Sequence, residues 1–212
     1  MIETSTGTTT FLLLHALSIK GVAGAEALVE VTGLPAEDVQ AEMERLLDGE
    51  LVRQRKGRIG GFALLDAGKA AHRELLAGDV DEPAVAALGG VYEAFLPLNG
   101  RFKELCTRWQ LRSVGGSSEP NDHTDAEYDR GVIADLAVIH SEAVSALGPA
   151  GAALDRFGRY PVRLTAALDR VQAGDVAAFT KPLTASYHDV WMELHQDLLT
   201  SLGRVRNAGD EG

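Results

Sequence analysis

Cysteine is almost missing from this sequence, since Cys106 is the single thiol among 212 residues. One thiol can form neither an internal disulfide nor a cysteine-rich zinc site, which excludes disulfide-stapled secreted domains and zinc fingers. Large apolar residues also occur only in short runs: Phe11–Leu14 is followed directly by His15, whereas a membrane span needs ~20 residues. Residues 1–10 contain no Lys or Arg and so lack the positive region of a signal peptide. We therefore expect no membrane helix, and a cytoplasmic protein.

Positive charge is scarce as well, with 20 Lys and Arg against 31 Asp and Glu, a net charge of −11. This argues against a protein that coats nucleic acid nonspecifically, because affinity for phosphate comes chiefly from Lys and Arg. Residues 1–78 hold 8 basic and 11 acidic groups (net −3), and residues 79–212 hold 12 and 20 (net −8). The acidity therefore lies mainly in the second part, and a local basic patch is still compatible with the first.

Common catalytic motifs are absent from the sequence. It has no Walker loop, no Gly-x-Gly-x-x-Gly after a strand, no Gly-x-Ser-x-Gly elbow and no His-Glu-x-x-His. Cys106 lies in an amphipathic segment, which is more typical of a small buried hydrophobic residue than of a nucleophile. We therefore predict no enzyme, no catalytic residue, no metal ligand and no cofactor.

Composition along the chain predicts two domains. Residues 78–90 mix Gly, Asp and Pro, which is typical of a hinge or short linker. Residues 113–125 are rich in Gly, Ser, Asn and Asp and are expected to form a loop within the second domain. We expect a polar tail at 1–10, a first domain at 11–77, the linker at 78–90, a second domain at 91–206 and a tail at 207–212.

The first domain shows three helical patterns, two strand patterns and a further helical pattern. Helices are predicted at 11–20, 24–31 and 35–48, each followed closely by glycine. Residues 50–55 and 59–65 are predicted as two strands joined by a turn, with the Gly60-Gly61 pair weakening their pairing. A closing helix is predicted at 67–76, with Asp66 as its N-cap. This order of elements is the layout of a winged helix.

Four stretches of this layout resemble the MarR-type winged-helix transcriptional regulators: Leu34–Val39, Leu46–Val52, Gly57-Arg58 and Phe62–Lys69. The closest similarity is in Phe62–Lys69. There a leucine and a turn residue, and then a glycine followed by a basic residue, begin the helix that follows the two strands, which form the wing of this fold. The similarity is confined to the first domain. It implies a winged-helix fold and, less specifically, DNA binding, since a fold does not fix a function.

In a helix-turn-helix, the second helix of the motif enters the major groove, and that helix is here the one predicted at 35–48. Its outer positions are expected to be Glu37, Asp38, Gln40, Glu42, Glu44 and Arg45. Carboxylates beside a polyanion are unfavourable, because two like charges ~4 Å apart cost roughly 1 kcal/mol even in water. Gln40 and Arg45 alone among them are suited to bases or phosphates, and we predict that they contact the major groove.

The turn between the two strands has the opposite character, because it concentrates four cations: Arg53, Arg55, Lys56 and Arg58. We predict that these side chains contact phosphates or the minor groove. Alternation places Arg53 and Arg55 on one face of the strand, which favours an anion-facing role. Other interpretations stay open for both elements. The four cations can be ordinary polar residues of an exposed hairpin. The acidic helix can be a solvated face or a surface that docks a basic protein.

The second domain is predicted as a bundle of five or six helices, so the fold class is mainly α: an N-terminal winged helix (α+β, with a two-stranded wing) followed by a C-terminal helical bundle. Helices are expected from residue 91 to 112 with a kink or break near Pro97, from 125 to 147 up to Gly148-Pro149, and at 151–157, 160–171 and 186–202. Polar residues on their apolar faces are the candidates for binding a small molecule: Arg101, Trp109, His140, Tyr160, Arg163, His188, Trp191 and His195.

Two kinds of ligand chemistry suit these candidates. Arginines beside aromatic rings can clamp a carboxylate or phosphate, or they can form ordinary surface ion pairs. Histidines can bind a metal together with a carboxylate such as Asp135 or Glu193. However, His188 and His195 lie ~10 Å apart along a helix that rises 1.5 Å per residue, which is too far for them to share one ion. Packing of the histidines is therefore the preferred interpretation. Residues 173–175 and 187–191 also resemble, weakly, the helical effector domains of FadR-type regulators, which bind small carboxylates.

These observations lead to a ranked set of hypotheses. The first is a homodimeric winged-helix regulator that binds double-stranded DNA, with a bundle that dimerises and binds a small-molecule effector. The second is an adaptor whose winged helix docks a partner protein without binding DNA. An enzyme that uses the histidine-rich bundle ranks third.

Overall fold

The computed structural model describes residues 6–57, 60–114 and 116–205. The chain divides between Glu82 and Pro83 into two compact units, called the N-terminal and the C-terminal unit below. Both are mainly helical, and each contains one two-stranded antiparallel sheet. The mainly helical class predicted from the sequence is therefore confirmed.

The N-terminal unit contains α1 (Thr6–Lys20), α2 (Ala25–Thr32), α3 (Ala36–Asp48), β1 (Val52–Arg55), β2 (Gly61–Leu64) and α4 (Asp66–Asp79). This is the predicted order, with bounds that differ by a few residues. The start of α1 corrects the expected polar tail at 1–10, because the helix already begins at Thr6. Thr9 is buried, and the Thr10 hydroxyl donates a hydrogen bond to Glu42 of α3, so these polar residues are held inside the unit.

The sheet of this unit gains a third partner from the loop before α2. Val52 pairs with Leu64 and Arg55 with Gly61, while Ala23 forms two backbone hydrogen bonds with Phe62 on the outer edge of β2, with N···O distances of 3.1 and 2.8 Å. Gly61 was expected to weaken the sheet, but the structure shows the reverse. Its φ is +145°, and a Cβ there would lie 2.6 Å from the Ala23 backbone, so glycine permits this close approach.

A leucine-rich core joins α1, α2, α3 and β1 of the N-terminal unit. Leu13, Leu14, Leu28, Val39 and Val52 are among its most deeply buried residues. Gly68 allows α4 to pack closely against Leu51, the residue before β1. A Cβ at this position would lie 2.0 Å from the carbonyl oxygen of Leu51. The leucine-to-glycine motif at the start of α4 thus has a steric explanation in this chain.

The division between the two units falls inside the predicted linker at 78–90, but most of this segment is helix and not an irregular linker. α4 continues to Asp79, and α5 (Glu82–Gln110) begins three residues later. Pro83 is tolerated because it lies in the first turn of α5, where its missing N–H costs little. Ala84 and Leu88 are buried and continue the apolar stripe of Val91, and this packing outweighs the weak helix propensity of Gly89-Gly90.

The C-terminal unit continues with β3 (Leu111–Val114), β4 (Ser117–Pro120), α6 (Ala126–Ala153), a 3-10 turn (Asp155–Gly158), α7 (Arg159–Gln172), α8 (Ala177–Thr180) and α9 (Tyr187–Ser201). The segment predicted as a loop at 113–125 therefore contains most of a hairpin. It is fixed at its base by Asn121, whose side-chain amide donates to the Trp109 carbonyl and to Asp129. Pro149 does not end α6 as predicted, and at Pro97, where a kink or break was expected, α5 is not broken. Leu98 and Ala150 next to these prolines are buried, and packing holds both segments in place.

Aromatic rings form the centre of the C-terminal unit. Phe102 of α5 lies 4.6 Å from Trp191 and 5.5 Å from Tyr187 of α9, measured between ring centroids. Trp109 of α5 lies 4.6 Å from Phe179 of α8. These contacts hold α5, α8 and α9 together.

Among the described helices, α6 alone is long and apolar enough to cross a membrane by length and composition. Its apolar stripe nevertheless packs into the C-terminal unit, since Val132, Leu136, Ile139 and Leu147 are buried there. We therefore interpret α6 as a packed helix of this unit.

Candidate functional site

The hairpin of β1 and β2 presents a basic surface, defined here as Arg53, Arg55 and Lys56. All three side chains are exposed. Arg53 and Arg55 lie opposite Ala63 and Gly61 in the register, so they project from the same face of the strand. None of the three forms an ion pair with an acidic side chain of the described residues, whereas most arginines of the C-terminal unit do. Arg58, the fourth predicted cation, lies outside the described residues.

α3 places the other predicted DNA-contacting residues on an acidic surface. Gln40 is exposed, and its amide donates to Glu44 at 3.2 Å. Arg45 is also exposed and pairs with Glu42 at 3.2 Å. Glu37 and Asp38 are exposed in the first turn of α3. Both predicted base-contacting side chains are therefore engaged by carboxylates of their own helix.

Glu42 is not on the outer face of α3, as the helical pattern had suggested, but is buried with 6% exposure. Thr10 of α1 donates to one of its carboxylate oxygens at 2.5 Å, and Arg45 donates to the other. A buried carboxylate needs such partners because desolvation of an unpaired charge is costly. Glu42 therefore fixes α3 against α1, and it is a structural residue.

The proposed cationic clamp of the C-terminal unit is not assembled. Arg101 of α5 forms a two-pronged pair with Glu142 of α6, with N···O distances of 2.6 and 3.0 Å. Arg108, one heptad further along α5, pairs with Asp135 of α6 at 2.7 Å. The Arg101 hydrogen bond lowers the pKa of the Glu142 carboxyl. These arginines thus connect two helices of one unit.

Tyr160 and Arg163 of α7 are likewise buried against α9. The Tyr160 hydroxyl donates to Asp197 at 2.9 Å, and Arg163 donates to Glu193 at 2.7 Å. Burial raises the pKa of the Tyr160 phenol well above its usual value, and the neighbouring Asp197 carboxylate adds to the effect. The phenol therefore stays neutral as a hydrogen-bond donor, and both residues stabilise the packing of α7 on α9.

The candidate histidines and tryptophans do not converge on one point either. His140 has the Tyr187 hydroxyl 3.3 Å from one ring nitrogen and the Thr165 hydroxyl 3.3 Å from the other. Burial lowers the pKa values of His140 and His188, which favours neutral rings. His195 is buried, with its ring 5.1 Å from Phe95, and Trp191 donates to Asn99 at 3.0 Å. The Trp109 ring lies 4.4 Å from His123 and 4.6 Å from Phe179, tilted against both. Within the described ranges, no group of three or more His, Cys, Asp or Glu residues could hold a metal ion.

Sequence reasoning missed two polar pairs that involve histidine. His15 and His72 are in hydrogen-bond contact in the N-terminal unit, and His123 contacts Asp129 at 3.0 Å in the C-terminal unit. His15 lies within an apolar helical stretch, which signals burial but does not reveal its partner 57 residues away. The partner follows only from the packing of α1 on α4.

Comparisons of the chain with protein-family models, with curated proteins and with solved structures find no match. Of the two predicted sites, the residues of the basic surface lie close together on β1 and just after it, and they form no ion pair with the acidic side chains that the structure describes. The predicted ligand-binding residues are distributed over α5, α6, α7 and α9 and are largely engaged in packing.

Proposed function

We propose that the N-terminal unit is a winged helix similar to those of MarR-type regulators, and that the protein is a cytoplasmic transcriptional regulator that binds double-stranded DNA. Three features support this proposal. The unit has three helices, a hairpin and a closing helix in that order. Ala23, between the first two helices, forms a one-residue β-bridge to the hairpin. Gly68 follows the hairpin at the position where the resembling sequences carry their motif.

The observation that carries the proposal is the basic surface. Arg53 and Arg55 are exposed and form no ion pair within the described ranges, so bringing them to phosphate breaks no ion pair seen in this structure. Two arginines on one face of a strand suit a phosphate ridge or a narrow minor groove. The carboxylates of α3 oppose its approach to DNA, so the hairpin is the principal contact and α3 is secondary.

Salt dependence of duplex binding tests this assignment. The double variant R53A/R55A should bind more weakly, and its plot of log K against log salt should be shallower by about 2, because each lost phosphate contact lowers the slope by ~0.9. The matched control is Arg73→Ala, which removes an exposed arginine of α4 and leaves the basic surface intact. Equal affinity and slope for wild type and R53A/R55A would contradict the proposal.

An adaptor that docks a basic protein partner is the second candidate, and the exposed carboxylates of α3 favour it. The variant E37Q/D38Q separates the two candidates. A regulator whose α3 lies near the duplex should bind DNA more tightly after this neutralisation, since two repulsive charges are removed. An adaptor should show no specific duplex binding in any variant.

Homodimerisation is the part of the proposal that concerns the C-terminal unit. One face of α6 is exposed at 3-4 spacing over seven positions, and none of them is charged: Gly131, Ala134, Val138, Ser141, Ser145, Gly148 and Ala152. This spacing suits helix-helix contact, and an uncharged face lets two copies of an acidic chain approach. Val138→Arg should therefore shift the protein to monomer in analytical ultracentrifugation, while the control Leu183→Arg, at a 73% exposed position, should not.

A further inference from the structure

The loop between α8 and α9 holds two apolar residues in a strained backbone conformation. Leu183 has a φ of +62° and Ala185 a φ of +50°. Residues other than glycine rarely adopt this left-handed region, because their Cβ crowds a carbonyl oxygen, and an apolar side chain cannot form the local hydrogen bonds that help Asn or Asp there. Leu183 is 73% exposed, so burial of its own side chain does not compensate for the strain. Such a conformation persists only where its surroundings hold it.

Arg170 of α7 holds this loop from one side. Its Nη1 donates to the carbonyl oxygens of Thr184 and Ala185, with N···O distances of 3.1 and 3.2 Å. Its Nε and Nη2 donate to Asp175 at 3.2 and 2.8 Å, and this ion pair fixes the orientation of the guanidinium. Hydrogen bonds from a charged donor are stronger than those between neutral groups. Arg170 therefore acts on the strained residues as a latch.

Asp189 of α9 holds the same loop from the other side. Its Oδ2 accepts from the backbone N–H groups of Thr184 and Ser186, at 3.0 and 3.3 Å. In return, the Ser186 hydroxyl accepts from the Asp189 N–H at 3.2 Å and so caps the N-terminus of α9. Because one carboxylate serves both the loop and the cap, a change in the loop also disturbs the start of α9.

We propose that residues 181–186 form a strained strap that Arg170 latches, and that release of this latch opens the first turn of α9 while the rest of the helix stays folded. The latch holds Leu183 and Ala185 at their left-handed angles, so both return to ordinary backbone angles once it is released. The backbone of the strap then turns away from Asp189, and the cap of α9 loses its support. The strap lies within the C-terminal unit and is independent of whether the N-terminal unit binds DNA.

The turn that opens carries a buried aromatic side chain. Tyr187 is fully buried, and its ring centroid lies 5.5 Å from that of Phe102 and 6.1 Å from that of Trp191. Opening of the first turn brings this ring, at the edge of the aromatic core, into contact with solvent. Local opening of this kind occurs well below the free energy of global unfolding. The strap thus controls access to the aromatic core from the N-terminal end of α9.

Hydrogen exchange of the full-length protein at constant pH tests the latch. The strap and the first turn of α9 are reported by the amides of Thr184, Ser186, Asp189 and Val190. Arg170→Ala should raise their opening constants at least about tenfold, since it removes charged hydrogen bonds to two carbonyl oxygens. The amide of Leu202, which bonds to Leu198 at the far end of α9, should keep its wild-type exchange. Unchanged exchange of the four amides, or an equal rise at Leu202, would overturn the proposal.

A pair of glycine variants tests the strain, and it decides the question if Arg170→Ala does not fold. Ala185→Gly places in the strap the residue that adopts a positive φ without strain, so it should lower the opening constants of the same four amides. The matched control is Ala173→Gly, the same substitution at an exposed position with a φ of −77°, where glycine only adds flexibility. This control should leave the opening constants unchanged or raise them. Equal exchange in the two variants would refute the strain and the strap with it.

Discussion

Replacing Gly68 by alanine tests the close contact between α4 and the start of the hairpin. In an open helical position, Gly→Ala stabilises a protein by up to about 1 kcal/mol, because alanine is the better helix former. At Gly68 the added Cβ would lie 2.0 Å from the carbonyl oxygen of Leu51 and 3.0 Å from its carbonyl carbon. Both atoms are backbone, so α4 or the strand has to move.

The size of the effect follows from what this movement disturbs. Overpacking of a closed contact typically costs about 1–3 kcal/mol. The shift also stretches the hydrogen bond from Leu65 N to Leu51 O, which is 2.9 Å long and contributes about 1 kcal/mol. After the gain in helix propensity is subtracted, Gly68→Ala should destabilise the N-terminal unit by roughly 1–3 kcal/mol. The sign is opposite to that expected for an open glycine.

Urea unfolding followed by two probes provides the assay. Every Trp and Tyr of the chain lies beyond residue 90, so Trp emission reports the C-terminal unit and far-UV circular dichroism reports both units. The matched control is Gly78→Ala in the same helix, where nothing lies within 4 Å of the added Cβ and stability should stay equal or rise. If Gly68→Ala proved as stable as wild type, the close contact and the steric reason for this glycine would both be wrong.

Three further predictions concern the C-terminal unit. Trp191→Phe removes the buried hydrogen bond to Asn99 and should lower the free energy of unfolding by about 1–3 kcal/mol in urea melts followed by Trp109 emission; an unchanged midpoint would contradict this. Burial lowers the pKa values of His140 and His188, so the unfolded chain binds more protons than the folded one at acidic pH. The urea midpoint should therefore fall as the pH drops below ~6.5 and recover when the pH is raised. The variant H140Q/H188Q should show a smaller loss of stability in acid. Burial raises the pKa of the Cys106 thiol to about 12, so the folded protein should resist a disulfide reagent at pH 8 that modifies it at once in urea; rapid modification of folded protein would disprove that environment.

The order of elements in the N-terminal unit was predictable because its signals are local. Gly33 adopts the left-handed conformation that ends α2, and Pro35 lies just before the first residue of α3. The apolar residues of α3, up to Leu46, recur at helical spacing. The pairing of Ala23 with Phe62 was not predictable, because a bridge of one residue leaves no periodic pattern. The sequence therefore predicts that Gly61 weakens the strand, because the close approach of Ala23 that requires a glycine at this position is not visible in it.

Helix ends in the C-terminal unit were predicted less well, because packing there overrides local preference. Proline and glycine at 148–149 favour a stop, yet α6 continues as far as Ala153. Ala150 is fully buried, and tertiary packing of this kind is not visible in the local sequence. Propensity is a weak prior in such positions. The start of α5 shows the same effect at Ala84 and Leu88.

The candidate sites differ in the same way, and the difference bears on where function lies. That Arg53 and Arg55 share one face of the strand could be predicted, because alternation in a strand is local. The fate of Arg163 could not, since an arginine on an apolar face is equally consistent with a ligand clamp and with a buried partner such as Glu193. A buried charge must be paired inside the fold, and the pairing satisfies its hydrogen-bonding capacity, so it has little left to offer a ligand. A cation that the described chain leaves both exposed and without an intramolecular ion pair keeps that capacity for an external anion. For this reason the hairpin is the DNA contact that we propose, whereas the arginines between the helices of the C-terminal unit have a structural role.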